Sequence, residues 1–240
     1  YGELINTYGY NLEPGSKELT ALNYYTNEEI TIPLDPTQTP GENAQRYFAK
    51  YNKQKRTFEA LTELIQETAD DIQYLESISN ALDIALNEAD LAQIKEELMQ
   101  SGYIRRKHTK KKVKLTSKPM HYISSDGYDM YVGKNNLQNE ELTFSFANGN
   151  DWWFHAKGAP GSHVIVKSGG DELPDRTFEE AGRLAAYYSK NRGADKVEID
   201  YIQKKHVKKP NGAKPGFVVY YTNYSLVIDS DISNIKNVQD

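Results

Sequence analysis

Residues 150–166 read NDWWFHAKGAPGSHVIV and contain both tryptophans of the chain and two of its five histidines. Aromatic and β-branched runs on either side of a turn rich in Gly and Pro are typical of a β-hairpin. This pattern predicts one strand at Trp152–Ala156 and a second at His163–Lys167, joined by the loop Lys157–Gly161. The buried part of such a hairpin would hold a loop that presents lysine and histidine.

The rest of residues 119–240 extends this hairpin into a larger sheet. Further strands are predicted at His121–Ser124, Tyr128–Val132, Lys196–Gln203, Phe217–Tyr221 and Ser225–Ile228, with an Asp126-Gly127 turn between the first two. Helices are predicted at Leu137–Ala147 and Phe178–Lys190, the second beginning with a capping box formed by Thr177 and Glu180. Strands that return through hairpins, with two helices on one face, indicate an α+β sheet domain.

A long helix precedes this domain. Thr39, Pro40 and Glu42 form a helix-start signature, in which Thr39 is the N-cap and Glu42 completes a capping box. From Ala44 to Leu86 a seven-residue repeat is apolar at ten of thirteen core positions, as in a coiled coil. The following helix, Glu88–Gln100, is too short to cover this seam. We therefore expect the coil to pair with missing sequence or with another chain.

Residues 1–38 form a small β-containing module, with a helical end at Tyr1–Asn6 and strands at Glu18–Tyr25 and Glu29–Leu34. The sequence thus predicts a small module at 1–38, a coiled-coil helical segment at 39–102, a basic linker at 103–118 and an α+β domain at 119–240. The fold class is α+β, with a long coiled-coil helix between the module and the sheet domain.

Composition excludes several classes of protein. The chain has 240 residues, no cysteine and a net charge of −5, so disulfides, thiolate catalysis and cysteine-ligated zinc are excluded. No apolar run approaches the roughly 20 residues of a membrane span, so no membrane association is expected. Enzyme signatures such as the P-loop and H-E-x-x-H are missing, and neither catalysis nor a cofactor is predicted. The chain starts at Tyr1, without Met, and is expected to belong to a longer protein.

Positive charge is concentrated in two segments. Residues 103–118 carry eight lysines and arginines and no acidic residue, whereas residues 1–102 carry seven basic and eighteen acidic residues. A localised basic segment of this kind favours contact with phosphates, although a solvated tether would have the same composition. The second segment is Lys204–Lys209, for which an ordinary exposed loop is the alternative.

The aromatic and histidine residues of the hairpin allow two interpretations. Strand alternation places Trp152 and Phe154 on one face and Trp153 on the other, where its ring could stack on a nucleotide base. The alternative is that all three aromatic residues belong to the core. His155 and His163 flank the loop and could face one another. A structural pair, in which each histidine bonds a backbone carbonyl, is favoured over a metal site completed by Asp151.

Together with Gly133–Asn139 and Gly212–Val218, the stretch 150–166 resembles the RNA-binding-type C-terminal domain of the NFACT family. The resemblance covers nearly the whole chain. It implies that residues 1–38 are the middle module of the family, that 39–102 is its second coiled-coil arm and that a first coil arm precedes Tyr1. It implies a cytoplasmic ribosome quality-control factor whose partners are the large ribosomal subunit, rRNA and tRNA. Such a factor supports C-terminal alanine tailing of stalled nascent chains. Homologues of this kind have also been called fibronectin-binding proteins, so a cell-surface adhesin that binds fibronectin is the rival, and a dimeric coiled-coil scaffold is a third possibility.

From the charge pattern and this resemblance, RNA contact is expected from basic, aromatic and histidine residues of the linker and of the α+β domain. The expected residues are Arg105, Arg106, Lys107, Lys110, Lys111, Lys112, Lys114, Lys134, Trp153, His155, Lys157, His163, Lys204, Lys205, Lys208 and Lys209.

Overall fold

The computed structural model of the chain describes residues 1–105 and 117–238. It divides into two compact units, Tyr1–Asp70 and Asp71–Asp240. The dividing point falls inside the long helix, so the last part of that helix belongs to the same unit as the sheet domain. The predicted domain boundaries at 38, 102 and 118 remain predictions based on the sequence.

The first unit begins with helix α1, Gly2–Tyr8, and a short 3-10 turn, Gly9–Asn11. Strands β1, Glu18–Asn23, and β2, Glu28–Pro33, then form an antiparallel hairpin close to the predicted positions. Its small core is made by the buried side chains of Leu4, Ile5, Leu19, Ala21, Ile32 and Ala44. Burial of these alkyl groups holds α1 against the hairpin and against the start of the next helix.

Helix α2, Pro40–Ile84, is one uninterrupted helix of 45 residues. The predicted capping box is present, because the backbone N–H of Thr39 donates to Glu42 Oε2 at 2.7 Å and the Glu42 N–H lies 3.3 Å from Thr39 Oγ1. Helix α3, Glu88–Gln100, follows after the Asn87 side chain caps its first turn. Gly102, with φ of +81°, ends it.

The second unit contains a seven-stranded sheet in which all neighbouring strands are antiparallel. Its strands are β3 Met120–Ile123, β4 Asp129–Val132, β5 Trp152–Ala156, β6 Val164–Val166, β7 Val197–Gln203, β8 Tyr224–Ile228 and β9 Lys236–Asn237. Their order across the sheet is β8-β7-β5-β6-β4-β3-β9. Mixed helices and antiparallel sheets confirm the predicted α+β class.

The two faces of this sheet are covered differently. Helix α5, Asp175–Tyr187, packs on one face against side chains that include Phe154 and Val164. Helix α4, Asn136–Glu141, continues into a π-helical turn, Leu142–Phe146, whose apolar side chains pack on the other face. The expectation that both helices cover one face is therefore wrong. Sequence patterns give each helix an apolar side but not the face of the sheet that receives it.

Two local predictions are also wrong, and one strand was not predicted. Thr177 and Glu180 do not form a capping box, since α5 begins earlier at Asp175 and both side chains hold the β3–β4 turn. The Thr177 hydroxyl donates to Asp126 Oδ2 at 2.9 Å, and Glu180 accepts the Ser125 N–H at 2.8 Å. Residues 217–221 form a single bridge, between Lys208 and Val219, in place of the predicted strand. Strand β9, which pairs with β3, was not predicted.

Candidate nucleic-acid interface

The tryptophan hairpin has its strands where the sequence predicts them, but Trp153 is completely buried. Its ring lies 5.1 Å from that of His163 and 5.0 Å from that of Tyr220, measured between centroids. The expectation that Trp153 stacks on a base is therefore wrong, because the segment around Tyr220 covers its side of the sheet. Trp152, on the α5 side, is only half-buried and contacts Phe178.

His155 and His163 do face one another, with ring centroids 5.4 Å apart and nearly perpendicular planes. His155 bonds the Gly161 carbonyl and His163 the Asn139 carbonyl, as the structural interpretation predicted. Burial lowers the pKa of His155 to about 4, and burial together with the neighbouring His155 lowers the pKa of His163 well below 6.5. Both rings are thus neutral at pH 7, and neither supplies a positive charge for a phosphate.

Lys134 is likewise a structural residue. Its Nζ lies 2.6 Å from Asp90 Oδ1, and both side chains are buried. The pair belongs to a polar network in which Asn135 donates to Gln93 and Asn136 donates to Glu97. The motif that contains Lys134 therefore fixes α3 against the sheet domain, and the expected RNA contact by Lys134 is wrong.

The remaining basic residues differ in what they can offer to a polyanion. Arg105 is exposed and is the last described residue at the start of the linker. Lys157 is exposed but pairs with Glu198 at 2.5 Å. The other expected linker residues lie outside the described part of the chain; these are Arg106, Lys107, Lys110, Lys111, Lys112 and Lys114.

The segment Lys204–Lys209 forms an exposed basic surface at the end of β7. Lys204–His206 make a 3-10 turn, and the buried side chain of Val207 anchors the segment to the sheet. Lys205 and Lys208 are exposed, whereas Lys209 pairs with Glu140 at 2.7 Å. Among the described residues that were expected to contact RNA, this segment is the one that presents several neighbouring basic side chains to solvent.

Asp151 positions this surface, a role that the sequence did not indicate. The carboxylate is buried, accepts the Asn148 N–H at 2.7 Å and pairs with Lys167. Its backbone carbonyl accepts the Lys204 N–H at 2.8 Å. Asp151 thus ties the turn before β5 to the start of the basic segment. Within residues 1–105 and 117–238, no three His, Asp or Glu residues lie close enough together to hold a metal.

Two models of one family match consecutive parts of the chain. The NFACT N-terminal and middle domains match residues 1–117, and the NFACT protein RNA binding domain matches residues 118–222. Over the described residues, no helix is sufficiently long and apolar to cross a membrane.

Individual relatives agree with these matches. The chain is 44% identical over 239 residues to the Rqc2 homolog RqcH of Streptococcus pneumoniae serotype 2, covering 99% of the chain and 43% of that protein. It is 41% identical over 242 residues to the Rqc2 homolog RqcH of Bacillus subtilis, covering 98% and 42%. The chain therefore spans less than half the length of these curated relatives.

A solved structure is also similar. The C-terminal of the fibronectin/fibrinogen-binding protein from Streptococcus suis superposes with a TM-score of 0.74 at 43% sequence identity. The match covers 82% of this chain and 78% of that chain.

Proposed function

This chain belongs to the NFACT family, and from that membership we propose that it is the middle, coiled-coil and C-terminal part of an RqcH-type ribosome quality-control factor. In this role the protein acts in the cytoplasm on large ribosomal subunits that are obstructed by peptidyl-tRNA. It binds rRNA and tRNA and supports C-terminal alanine tailing of stalled nascent chains. The protein itself is a binding factor and performs no bond-making chemistry.

The observation that carries this proposal is the exposed basic segment Lys204–Lys209, which lies inside the part of the chain that matches an RNA-binding domain. Exposed lysines bind phosphates without reading base sequence, and they release counterions when they do so. The basic linker at 103–118 adds eight further positive charges next to the same domain. Both basic segments are consistent with a protein that contacts structured RNA at several positions.

The long helix gives the proposal a second part. Its apolar seam is exposed in the first unit, where Phe58 is 73%, Leu61 is 51% and Ile65 is 68% accessible to solvent. An exposed heptad seam of this kind binds another helix. In this proposal α2 is a coiled-coil arm whose seam pairs with a preceding coil or with another chain. The arm reaches across the ribosomal subunit.

Co-sedimentation of the full-length protein with 50S subunits at moderate salt tests the proposal. Replacing Lys205 and Lys208 with Gln should weaken binding, whereas replacing the exposed Lys196 and Lys236, which removes the same charge elsewhere, should not. Failure of the unaltered protein to co-sediment with subunits or to bind RNA would refute the proposed function.

The linker can be tested in the same way. Changing Arg105, Arg106, Lys107, Lys110, Lys111 and Lys112 to Gln should weaken RNA binding and flatten its salt dependence. The slope of log affinity against log salt should fall by roughly 0.7 for each lost phosphate contact with single-stranded RNA. An unchanged affinity in a filter-binding titration would show that the linker is only a tether.

A fibronectin-binding adhesin is the second candidate, favoured by the name of the similar Streptococcus suis structure. Fibronectin binding that survives the linker substitutions, in a protein that binds no RNA under any salt condition, would support this alternative.

A further inference from the structure

Three aromatic rings form a row on the face of the sheet opposite α5, and we call His121, Tyr131 and Phe146 the aromatic row. His121 and Tyr131 are directly opposite one another on β3 and β4, and their rings are parallel with centroids 4.5 Å apart. Phe146 meets Tyr131 edge to face at 4.7 Å. The first two rings are half-buried, and Phe146 is 41% exposed.

The π-helical turn holds Phe146 in this exposed position. The Ala147 N–H donates to the Leu142 carbonyl at 2.9 Å, and both of these side chains are buried, which turns Phe146 outward. Lys167 contacts Phe146 twice, because its Nζ lies 3.4 Å from the Phe146 carbonyl oxygen and 4.8 Å from the centroid of the Phe146 ring. Exposing an apolar ring on a fixed turn is unfavourable in water, and π-helical turns are frequent at functional sites.

Positive charge lies beside the row. The Nζ of Lys204 is 5.8 Å from the ring of Phe144, two residues before Phe146. The Lys205 N–H donates to the Gly149 carbonyl at 3.0 Å, which places the exposed Lys205 beside the loop that follows the π-helical turn. Of the acidic residues beside the row, Asp151 pairs with Lys167, and Oδ1 of Asp129 lies within hydrogen-bond distance of Nε2 of His121, at 2.7 Å.

An exposed ring flanked by lysines has the chemistry that binds unpaired nucleotides. Aromatic side chains stack on bases of any sequence because every base has a π-face, and nearby lysines contact the phosphates. A site for a protein partner would not need positive charge concentrated on one side of the rings. The charge distribution therefore favours a single-stranded nucleic acid as the occupant.

We propose that the aromatic row, with Phe146 as the exposed ring and Lys204 and Lys205 as phosphate contacts, stacks an unpaired base of single-stranded RNA. This proposal rests on the RNA-binding function proposed above and assigns a stacking site to it. A ring that stacks on the π-face of a base accepts any of the four bases, so no sequence preference is expected at this site.

The test is a titration of the full-length protein into a short single-stranded RNA that carries 2-aminopurine, whose fluorescence falls when the base stacks. The unaltered protein should quench the fluorophore. Phe146→Ala should abolish the quenching and weaken binding about tenfold, as expected for loss of one stacked base. Phe146→Trp should retain both, which shows that a ring is needed.

Tyr224→Ala is the matched control, because this exposed ring contacts Tyr201 and Trp152 on the α5 side of the sheet. It should leave the quenching unchanged. Equal quenching by the Phe146→Ala variant and the unaltered protein would overturn the stacking site while leaving the RNA-binding function intact. The stacking site would also be overturned if the protein bound subunits and RNA but the decrease in 2-aminopurine fluorescence did not depend on Phe146. Absence of all RNA and subunit binding would instead refute the proposed function itself.

Discussion

The Nζ of Lys134 lies 2.6 Å from Oδ1 of Asp90, and both side chains are almost fully buried. Asp90 also accepts hydrogen bonds from the Ser117 hydroxyl at 2.6 Å and from the Leu86 N–H at 3.0 Å. These interactions lower the pKa of the Asp90 carboxyl against the opposing effect of burial, which is the larger single influence. The ion pair thus joins the loop after β4 to the start of α3.

Lys134→Met should destabilise the second unit by about 3–5 kcal/mol, because it leaves the Asp90 carboxylate buried without its partner. The matched control is Lys157→Met, which breaks the exposed pair with Glu198 and should cost about 0–1 kcal/mol. Urea unfolding followed by circular dichroism measures both. Equal losses for the two variants would show that the Lys134 pair is no more important than a surface contact.

Glu97→Gln should change the pH dependence of stability. Burial raises the pKa of the Glu97 carboxyl above its ordinary 4.5, although hydrogen bonds from Asn136 and Tyr74 oppose the shift. A carboxyl with a raised pKa in the folded state favours folding when protonated, and this contribution is lost as pH rises through that pKa. The Gln variant should therefore gain stability relative to the parent between pH 4 and pH 7. A difference that is constant with pH, in urea unfolding at both values, would contradict the assignment.

Trp153→Ala and Phe154→Ala should each cost about 3–5 kcal/mol, since both side chains are completely buried. Trp152→Ala should cost less, because Trp152 is half-exposed beside Phe178. Thermal and urea unfolding would rank the three variants. A larger loss of stability for Trp152→Ala than for Trp153→Ala would mean that the face of the sheet opposite α5 is not a packed core.

The exposed seam of α2 should cause self-association of the chain through Phe58, Leu61 and Ile65. Replacing these three residues with Gln should make it monomeric, whereas changing the exposed Glu59, Glu63 and Glu67 to Gln should not. Light scattering over a dilution series provides the measurement. A strictly monomeric parent chain with a fully helical α2 would show that the seam is covered in some other way.

Features that depend on a few neighbouring residues could be predicted from the sequence. The Thr39 and Glu42 capping box forms because both groups lie within one helical turn, and the heptad repeat requires only helical geometry. The strands of the tryptophan hairpin follow from β-branched and aromatic runs around a Gly/Pro loop. The same patterns, together with the resemblance they carry, were sufficient for the α+β class and for the family.

Only the tertiary structure decided which side chains reach solvent. Strand alternation separates Trp153 from Trp152, but it cannot say that residues 207–220 cover the Trp153 side. Lys134 looks available in the sequence, yet its partner Asp90 lies 44 residues earlier. Thr177 and Glu180 have capping-box spacing, but the β3–β4 turn binds their side chains. Phe146 is exposed because a π-helical turn and Lys167 hold it there. In each case the outcome depends on groups brought together from distant parts of the chain, and local pattern carries no information about such contacts.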